Sequence, residues 1–410
     1  MLTSKFLLYQ LIMRYYLICA FALVLLYPLG IDLYLVGLPE IARTLNADEA
    51  QLHNAFSCYL AGMALAMLLG GHLADRLGRK PVALCGALIF VLSSIWAATT
   101  LSITAFLFAR AGQGIGAGAA YLVTFAILRD VLDDQRRAKV LSMINGVTCI
   151  VPVLAPVLGH LVLQYFPWPA LFVLMALLAA AALFLCLGLQ ESLPAKTAGE
   201  LIAGESLLCV TFVSRLLISC LAVTAILTFV NTSPMLLMEQ LGLYSGGYAS
   251  AMGGLALISM VMAFVSPWLI DSIGQQRMLQ LSQLAFALAA TVLLLAASLA
   301  AELWLYLLGI GFVCAGFSVG FGVTMSQALA PFAQRSALAS SILGICQISW
   351  SGAFIAISAW FGLTASTMLI LSLLIAALGS IILLYFTSRA PIKTNSQWKQ
   401  DEQSLTSPRS

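Results

Sequence analysis

Charge is what this sequence most lacks. Asp, Glu, Lys and Arg make up 9% of its 410 residues, against roughly 25% in an ordinary soluble domain, while 62% are hydrophobic and the mean hydropathy is +1.03. A chain of this composition cannot hide its apolar surface in water, so a soluble fold is excluded. Long polar stretches are missing as well. The longest internal one is ESLPAKTAGELIAGES, residues 191–206, which leaves no room for a soluble domain of any size. Histidine is rare, with three residues, and the nine cysteines form no C-x-x-C pair. Cys19, Cys58, Cys85, Cys149, Cys186, Cys220, Cys314 and Cys346 all sit in apolar runs, where they read as small core hydrophobes. No disulfide framework, metal site or cofactor is therefore expected. No phosphate-binding loop of the G-x-x-x-x-G-K type occurs either, so any work the protein does must draw on an ion gradient.

What the chain does have is apolar runs of membrane-spanning length, about 20 residues each. Twelve fit, near 15–38, 51–73, 81–100, 104–126, 139–163 and 167–189, then 211–236, 247–270, 278–298, 303–326, 337–361 and 363–386. The first, from Tyr15 to Leu38, is too long for a secretory signal and lacks a small-residue cleavage site, so it reads as a helix that stays, with Met13 as an alternative start. The fold class expected is an all-α membrane protein, with twelve transmembrane helices in two pseudo-symmetric six-helix bundles. The bundles occupy 1–190 and 211–388, with a linker at 191–210 and a polar, disordered tail at 389–410. Seventeen of the nineteen bases fall on one side if the N-terminus is cytoplasmic; only Arg43 lies outside and Arg110 lies within a span. The positive-inside rule then puts both termini in the cytoplasm. The net charge of +3 is spread over these loops and says nothing of nucleic acid.

A faint repeat supports the duplication. GHLADRLGRKP, from Gly71 to Pro81, and PWLIDSIGQQR, from Pro267 to Arg277, align Asp75 with Asp271 and Gly78 with Gly274 at a shift of 196 residues. Parallel repeats of this kind are related by an axis along the membrane normal. The glycines of the first loop permit a tight turn, and its acid sits among bases that satisfy its charge. Read blandly, the loop is only a positive-inside signal.

LFARAGQGIGAG, from Leu107 to Gly118, carries Arg110, Gln113 and glycines at 112, 114, 116 and 118. No strand precedes it, so the glycines read as sites of close helix approach rather than a nucleotide loop. Arg110 is another matter, since a base inside a span costs roughly 2.5–3.5 kcal/mol on insertion scales and marks function. The one deep acid is Asp32, in YPLGIDLYLVGLP. Counted from the outer helix ends, Asp32 and Arg110 both lie about 9 Å deep at about 1.5 Å per residue. Burial raises a carboxyl's pKa and a nearby cation lowers it, so such an acid can load and release a proton. The bland alternative is that Asp32 satisfies backbone groups freed by Pro28 and Gly30. Tyr27, Tyr34, Tyr59, Tyr121 and Trp350 are aromatics suited to an apolar cavity, Tyr34 above all because it is near Asp32. His53, His72 and His160 fall near helix ends, where a proton relay is not expected.

The first loop, with Gly71, Leu73, Asp75, Arg76, Gly78, Arg79 and Lys80 in their defining places, resembles the G-x-L-a-D-r-x-G-r-k signature of the major facilitator superfamily. The Arg110 segment resembles that superfamily's second motif. In the fifth span, NGVTCIVPVLAPVLGH, with Pro152, Pro156 and Gly159, resembles its antiporter motif, although Ala155 and His160 replace two glycines. With IDLYLVGLP, FVNTSP and CAGFSVGFG, the chain is similar throughout to the Bcr/CflA branch of drug:proton antiporters. The resemblance implies a major facilitator fold and proton-coupled efflux of small hydrophobic drugs across the bacterial inner membrane by a monomer. It gives Asp32, with Arg110, Gln113 and Tyr34, the roles of proton coupling and substrate recognition. It also makes the first loop a cytoplasmic latch, in which Asp75 faces the start of the eleventh helix near Ser336–Ser340, with Arg129, Asp130, Asp133 and Arg136 completing the cluster. A nutrient uptake carrier would share the fold but would need more polar groups in its spans. A membrane enzyme or channel is disfavoured, because no catalytic pair of His, Cys, Asp or Glu stands at helical spacing.

Overall fold

The computed structural model describes residues 2–132, 134–192, 209–299, 302–332 and 336–388. Among them are twelve helices and no strand. Helix α1 runs through Leu2–Val24 and Leu26–Asp32, then a 3₁₀ turn at Leu35–Gly37, then Leu38–Leu45. It is followed by α2 (Glu49–Leu77), α3 (Arg79–Thr99), α4 (Ile103–Val131), α5 (Asp134–Leu163) and α6 (Pro169–Leu187). The second half comprises α7 (Val210–Pro234, prolonged by a π-helical turn at Met235–Gln240), α8 (Ser245–Ile273), α9 (Gln275–Ser298), α10 (Leu303–Leu329), α11 (Ser336–Trp360) and α12 (Ala365–Ser388). Eleven are long and apolar enough to cross a membrane; in α5 the described apolar part is the shorter Ile150–Leu163. An even number of crossings brings residues 2 and 388 to the same face, termed proximal below; the other face is distal. The linker at 193–208, the tail at 389–410, Asp133 and Arg335 lie outside the described residues.

Most helix ends agree with the apolar runs to within a few residues, and the departures share a cause. Several helices outlast their apolar stretch on the proximal side, α4 to Val131 and α5 from Asp134. Backbone hydrogen bonds propagate a helix whether or not the next side chains are apolar, so hydropathy marks the hydrocarbon crossing rather than the helix end. The first helix departs most, reaching Leu45 rather than 38 and starting at Leu2. On the distal side, Asp48 caps α2 with a reciprocal pair, its carboxylate accepting from Gln51 N at 2.7 Å while Gln51 Oε1 accepts from Asp48 N at 3.1 Å.

The repeat is expressed in the backbone. Helices α2 and α8 each span 29 residues, displaced by the same 196. Each ends on a glycine with positive φ, +106° at Gly78 and +84° at Gly274, a conformation that L side chains resist. The next helix starts at once in both halves.

Within the first half, the four glycines of α4 serve two neighbours. A Cβ at Gly114 or Gly118 would fall on the carbonyl oxygens of Tyr59 and Met63 in α2, whereas one at Gly112 or Gly116 would meet Ser93 or the Gly86 and Phe90 backbone in α3. Alternate positions in a helix point to nearly opposite sides, so one run of glycines lets α4 sit against α2 and α3 together. Gly114→Ala is expected to lower folding stability by about 1–3 kcal/mol, the usual cost of overpacking. A lower unfolding temperature in detergent would show it, and an unchanged one would deny the close approach.

Candidate functional site

The broken first helix sets the site. Pro28 has no backbone N–H to donate to Val24 O one turn back, and two carbonyls between these residues meet a hydroxyl of the second helix. Tyr59 Oη donates to Tyr27 O at 2.8 Å and lies 3.5 Å from Leu26 O. Gly30 leaves the space for it, since a Cβ there would stand 2.6 Å from that hydroxyl. Asp32 itself is buried, 4% exposed, at the last residue of Leu26–Asp32 before the helix tightens.

Arg110 is fully buried and is not bonded to Asp32. Its guanidinium carbon lies 4.1 Å from the Tyr34 ring centre and 4.6 Å from that of Tyr59, a double cation–π arrangement. Its Nη1 donates to Gln113 Oε1 at 2.7 Å, and Gln113 Nε2 donates to Ser94 Oγ at 2.7 Å. Arg110 Nε and Nη2 and the Tyr34 hydroxyl are buried without a hydrogen-bond partner. The structure therefore brings Arg110, Gln113 and Tyr34 together, while Asp32, two residues before Tyr34 on the same helix, makes no hydrogen bond or ion pair among the described residues. Tyr34 and Tyr59 are wholly buried here and pack on the Arg110 guanidinium. Tyr27 and Tyr121, 5.5 Å apart edge to face, are only partly buried, as is Phe125 next to them; they and Trp350, 49% exposed, remain on accessible surface.

The antiporter-motif helix packs on the same break. Gly159 lies where a Cβ would stand 2.9 Å from Leu33 O and close against Val36, so α5 touches α1 next to Asp32. Pro156 is buried and Pro152 half-buried on this helix.

On the proximal face the loop residues form one charge cluster. Arg79 donates to Asp75 Oδ1 at 2.7 Å and to Asp130 Oδ2 at 2.8 Å, and Arg129 reaches Asp130 at 3.5 Å. Glu191, the first residue of the expected linker, caps α3 by accepting from Arg79 N at 2.8 Å and Lys80 N at 3.1 Å. Lys80 Nζ donates to Leu187 O; Arg76 is exposed and Gly71 half-buried. Asp75 is 65% exposed and turned to Arg79; the side chains of residues 336–338 lie outside the described residues.

The halves meet on the distal side. His53 Nδ1 pairs with Asn231 Nδ2 at 2.9 Å, Glu49 Oε1 accepts from Ala365 N at 2.8 Å, and His160 Nδ1 pairs with Ser245 Oγ at 2.9 Å. Deeper, Gly352 lies against Leu60 and Gly344 against the Met67 methyl. These bonds were not foreseen. His53 and Asn231 were visible as polar residues in apolar runs, but nothing in the order of residues pairs them.

Two six-helix halves closed on one face, with a buried acid that makes no hydrogen bond or ion pair among the described residues and a buried base packed on two aromatic rings inside the first half, define a membrane transporter rather than an enzyme. The chain belongs to the Major Facilitator Superfamily, whose family model matches residues 20–359. It is similar to the multidrug resistance protein MdtL of Shewanella oneidensis, 51% identical over 374 residues that cover 90% of this chain and 94% of that protein. The MdtL of Vibrio parahaemolyticus is 51% identical over 378 residues, with the same coverage. That of Escherichia coli O157:H7 is 51% identical over 380 residues, 92% of this chain and 96% of its own length. Among solved structures, a D-xylose-proton symporter superposes with a TM-score of 0.69 at 16% identity, covering 90% of this chain and 97% of its own. The nucleoside transporter NupG superposes with 0.68 at 15% identity, covering 91% and 98%. At such identities these two share the fold alone.

Proposed function

We propose that this chain exports small hydrophobic drugs across the bacterial inner membrane in exchange for protons, by alternating access of a monomer whose termini are cytoplasmic. The observation that carries the reading is Asp32, a buried acid that makes no hydrogen bond or ion pair among the described residues, at the break in α1. The multidrug relatives supply the substrate class. Arg110 holds the tyrosine that flanks Asp32, and the partly buried aromatics Tyr27, Tyr121 and Phe125 offer apolar faces to a drug entering from the proximal side, which is the cytoplasmic side in this orientation. The distal side is the periplasmic one and is closed here. Drug release requires it to open while the cytoplasmic side closes.

One titrating carboxylate moves one proton per drug. A neutral drug then leaves electrogenically and a monovalent cation electroneutrally. The potential supplies about 2.3 kcal/mol per 100 mV for each net charge moved, and a one-unit pH gradient about 1.36 kcal/mol per proton. In proteoliposomes clamped with potassium and valinomycin at equal pH, the potential alone should drive neutral drugs and leave monovalent cations at equilibrium. Potential-driven export of a monovalent cation would require a second transported proton and overturn the stoichiometry.

The latch carries its own expectation. Asp75→Asn removes a charge that Arg79 holds, and Arg79 is also held by Asp130, so the loop should survive while closure of the cytoplasmic side weakens. Turnover in reconstituted protein should fall several-fold with drug binding little changed; normal turnover would dismiss the latch.

A further inference from the structure

His53 is the one histidine sealed inside the contact between the halves, with its side chain about 1% exposed. Its surroundings are unusual for a residue four positions from a helix start. Nδ1 faces Asn231 Nδ2 at 2.9 Å, and that amide nitrogen also points to Met368 Sδ at 3.9 Å. A thioether sulfur only accepts, so both neighbours of the amide nitrogen are acceptors and the amide is held as a donor. His53 Nδ1 must then offer its lone pair. The other ring nitrogen, Nε2, has no hydrogen-bond partner and stands 3.5 Å from Glu49 Oε1. That same oxygen accepts the Ala365 N–H at 2.8 Å, capping α12 across the interface.

Protonation and closure therefore compete for the same two atoms. A proton on Nδ1 would confront the Asn231 N–H, and a full imidazolium would draw Glu49 Oε1 away from Ala365. Once the halves part on the distal side, both costs vanish: Nδ1 meets water, and Glu49, one turn away on the same helix, becomes an undivided counter-charge. We infer that His53 is a second proton-binding site, loaded from the distal solution when the distal side is open and emptied back into it on closure, so that acid outside favours the open state. The inference rests on the alternating-access reading above but not on Asp32. The proton enters and leaves on one side, so it gates without adding to the one proton exchanged per drug.

Other titrating groups on the neighbouring helices do not share this role. Helix α7 brings Arg215 at its proximal end, Cys220, and Glu239 on exposed surface; α11 brings Cys346; and α12 brings Tyr385 at its proximal end. Helix α4 brings Arg110, clamped between two rings, and Arg129 and Asp130 at the proximal face. The distal segment of α1 brings Glu40 and Arg43, and α2 itself Cys58, Tyr59, the capping Asp48 bonded to Gln51 and, at its proximal end, His72, Asp75 and Arg76. Among the described residues only Glu49 lies at ion-pair distance from the imidazole.

The test reads the gate directly. Arg43 and Glu239 are exposed on opposite halves around one distal cavity of about 660 Å³, and a ketone-bearing residue at each takes a spin label without touching the nine native cysteines. Distance distributions are measured by pulsed electron resonance in the Asp32→Asn background, from pH 8 to 5.5, with no drug present. The open population should rise as pH falls, by up to about tenfold per unit for one linked proton. His53→Gln keeps an acceptor for Asn231 but cannot titrate, and should abolish the dependence. Asn231→Asp, nearly the same shape, accepts from a protonated ring and should flatten or invert it, which guards against a His53 variant that fails to fold. A gate indifferent to pH, a dependence that survives His53→Gln, or opening at high pH would each overturn the inference. Because the readout is a distance and Asp32 is already neutral, loss of drug coupling cannot mimic any of these results.

Discussion

Asp32→Asn should abolish uphill drug export while leaving a folded, membrane-inserted protein that still exchanges drug downhill. The expectation has two parts, and the structure bears on each. Stability should hold because Asp32 gives up no hydrogen bond or ion pair on substitution: Tyr59 satisfies the α1 carbonyls, and Arg110 is committed to Gln113 and two aromatic faces. A carboxamide of the same shape also costs less to bury than a charge. Coupling should fail because no other acid lies deep in a span. With one proton per drug, a pH gradient of one unit supports about a tenfold gradient of a cationic drug in the unaltered protein, and none in the variant. Proteoliposomes with an imposed pH gradient give the measurement. A tenfold gradient built by Asp32→Asn would end the proton role of this residue.

Arg110→Lys should reduce transport by at least tenfold without unfolding the protein, although the charge is conserved. The guanidinium lies over the Tyr34 and Tyr59 rings and bonds Gln113, and a compact, strongly hydrated ammonium stacks on aromatic faces less well. Each cation–π contact is worth about 0.5–2 kcal/mol, so losing two loosens Tyr34, and with it the segment of α1 that ends at Asp32. Gel filtration and the unfolding temperature establish that the protein is intact, and initial rates of drug efflux report the loss. Should Lys at this position transport at the normal rate, Arg110 would be a cation tolerated in the core and not an organiser of the site.

Much of this protein could be read before any coordinates. Water and lipid sort residues one at a time, so twelve apolar runs gave twelve helices, and the scarcity of charge isolated Asp32 and Arg110 as the ions whose burial needs a reason. The tight turn at Gly78 and its repeat at Gly274 were equally plain, because a positive φ demands glycine locally. The glycines of α4 declared close packing, though not which neighbour each one served.

Contacts between residues far apart in the chain were not legible. Asn231 lies 178 residues from His53, and Ala365 lies 316 from Glu49; each is unremarkable in its own helix. Glu191 looked like a linker residue until the fold set its carboxylate on the first amides of α3. Tyr34 and Tyr59 read only as two of five aromatics suited to a cavity; that both rings pack on one buried cation is decided by the fold. Local forces, the transfer of side chains to lipid and the conformational limits of glycine and proline, act within a few residues and were settled by their order. Pairing of buried polar groups is an energy shared between two helices. It exists only once the bundle has brought them within hydrogen-bond reach.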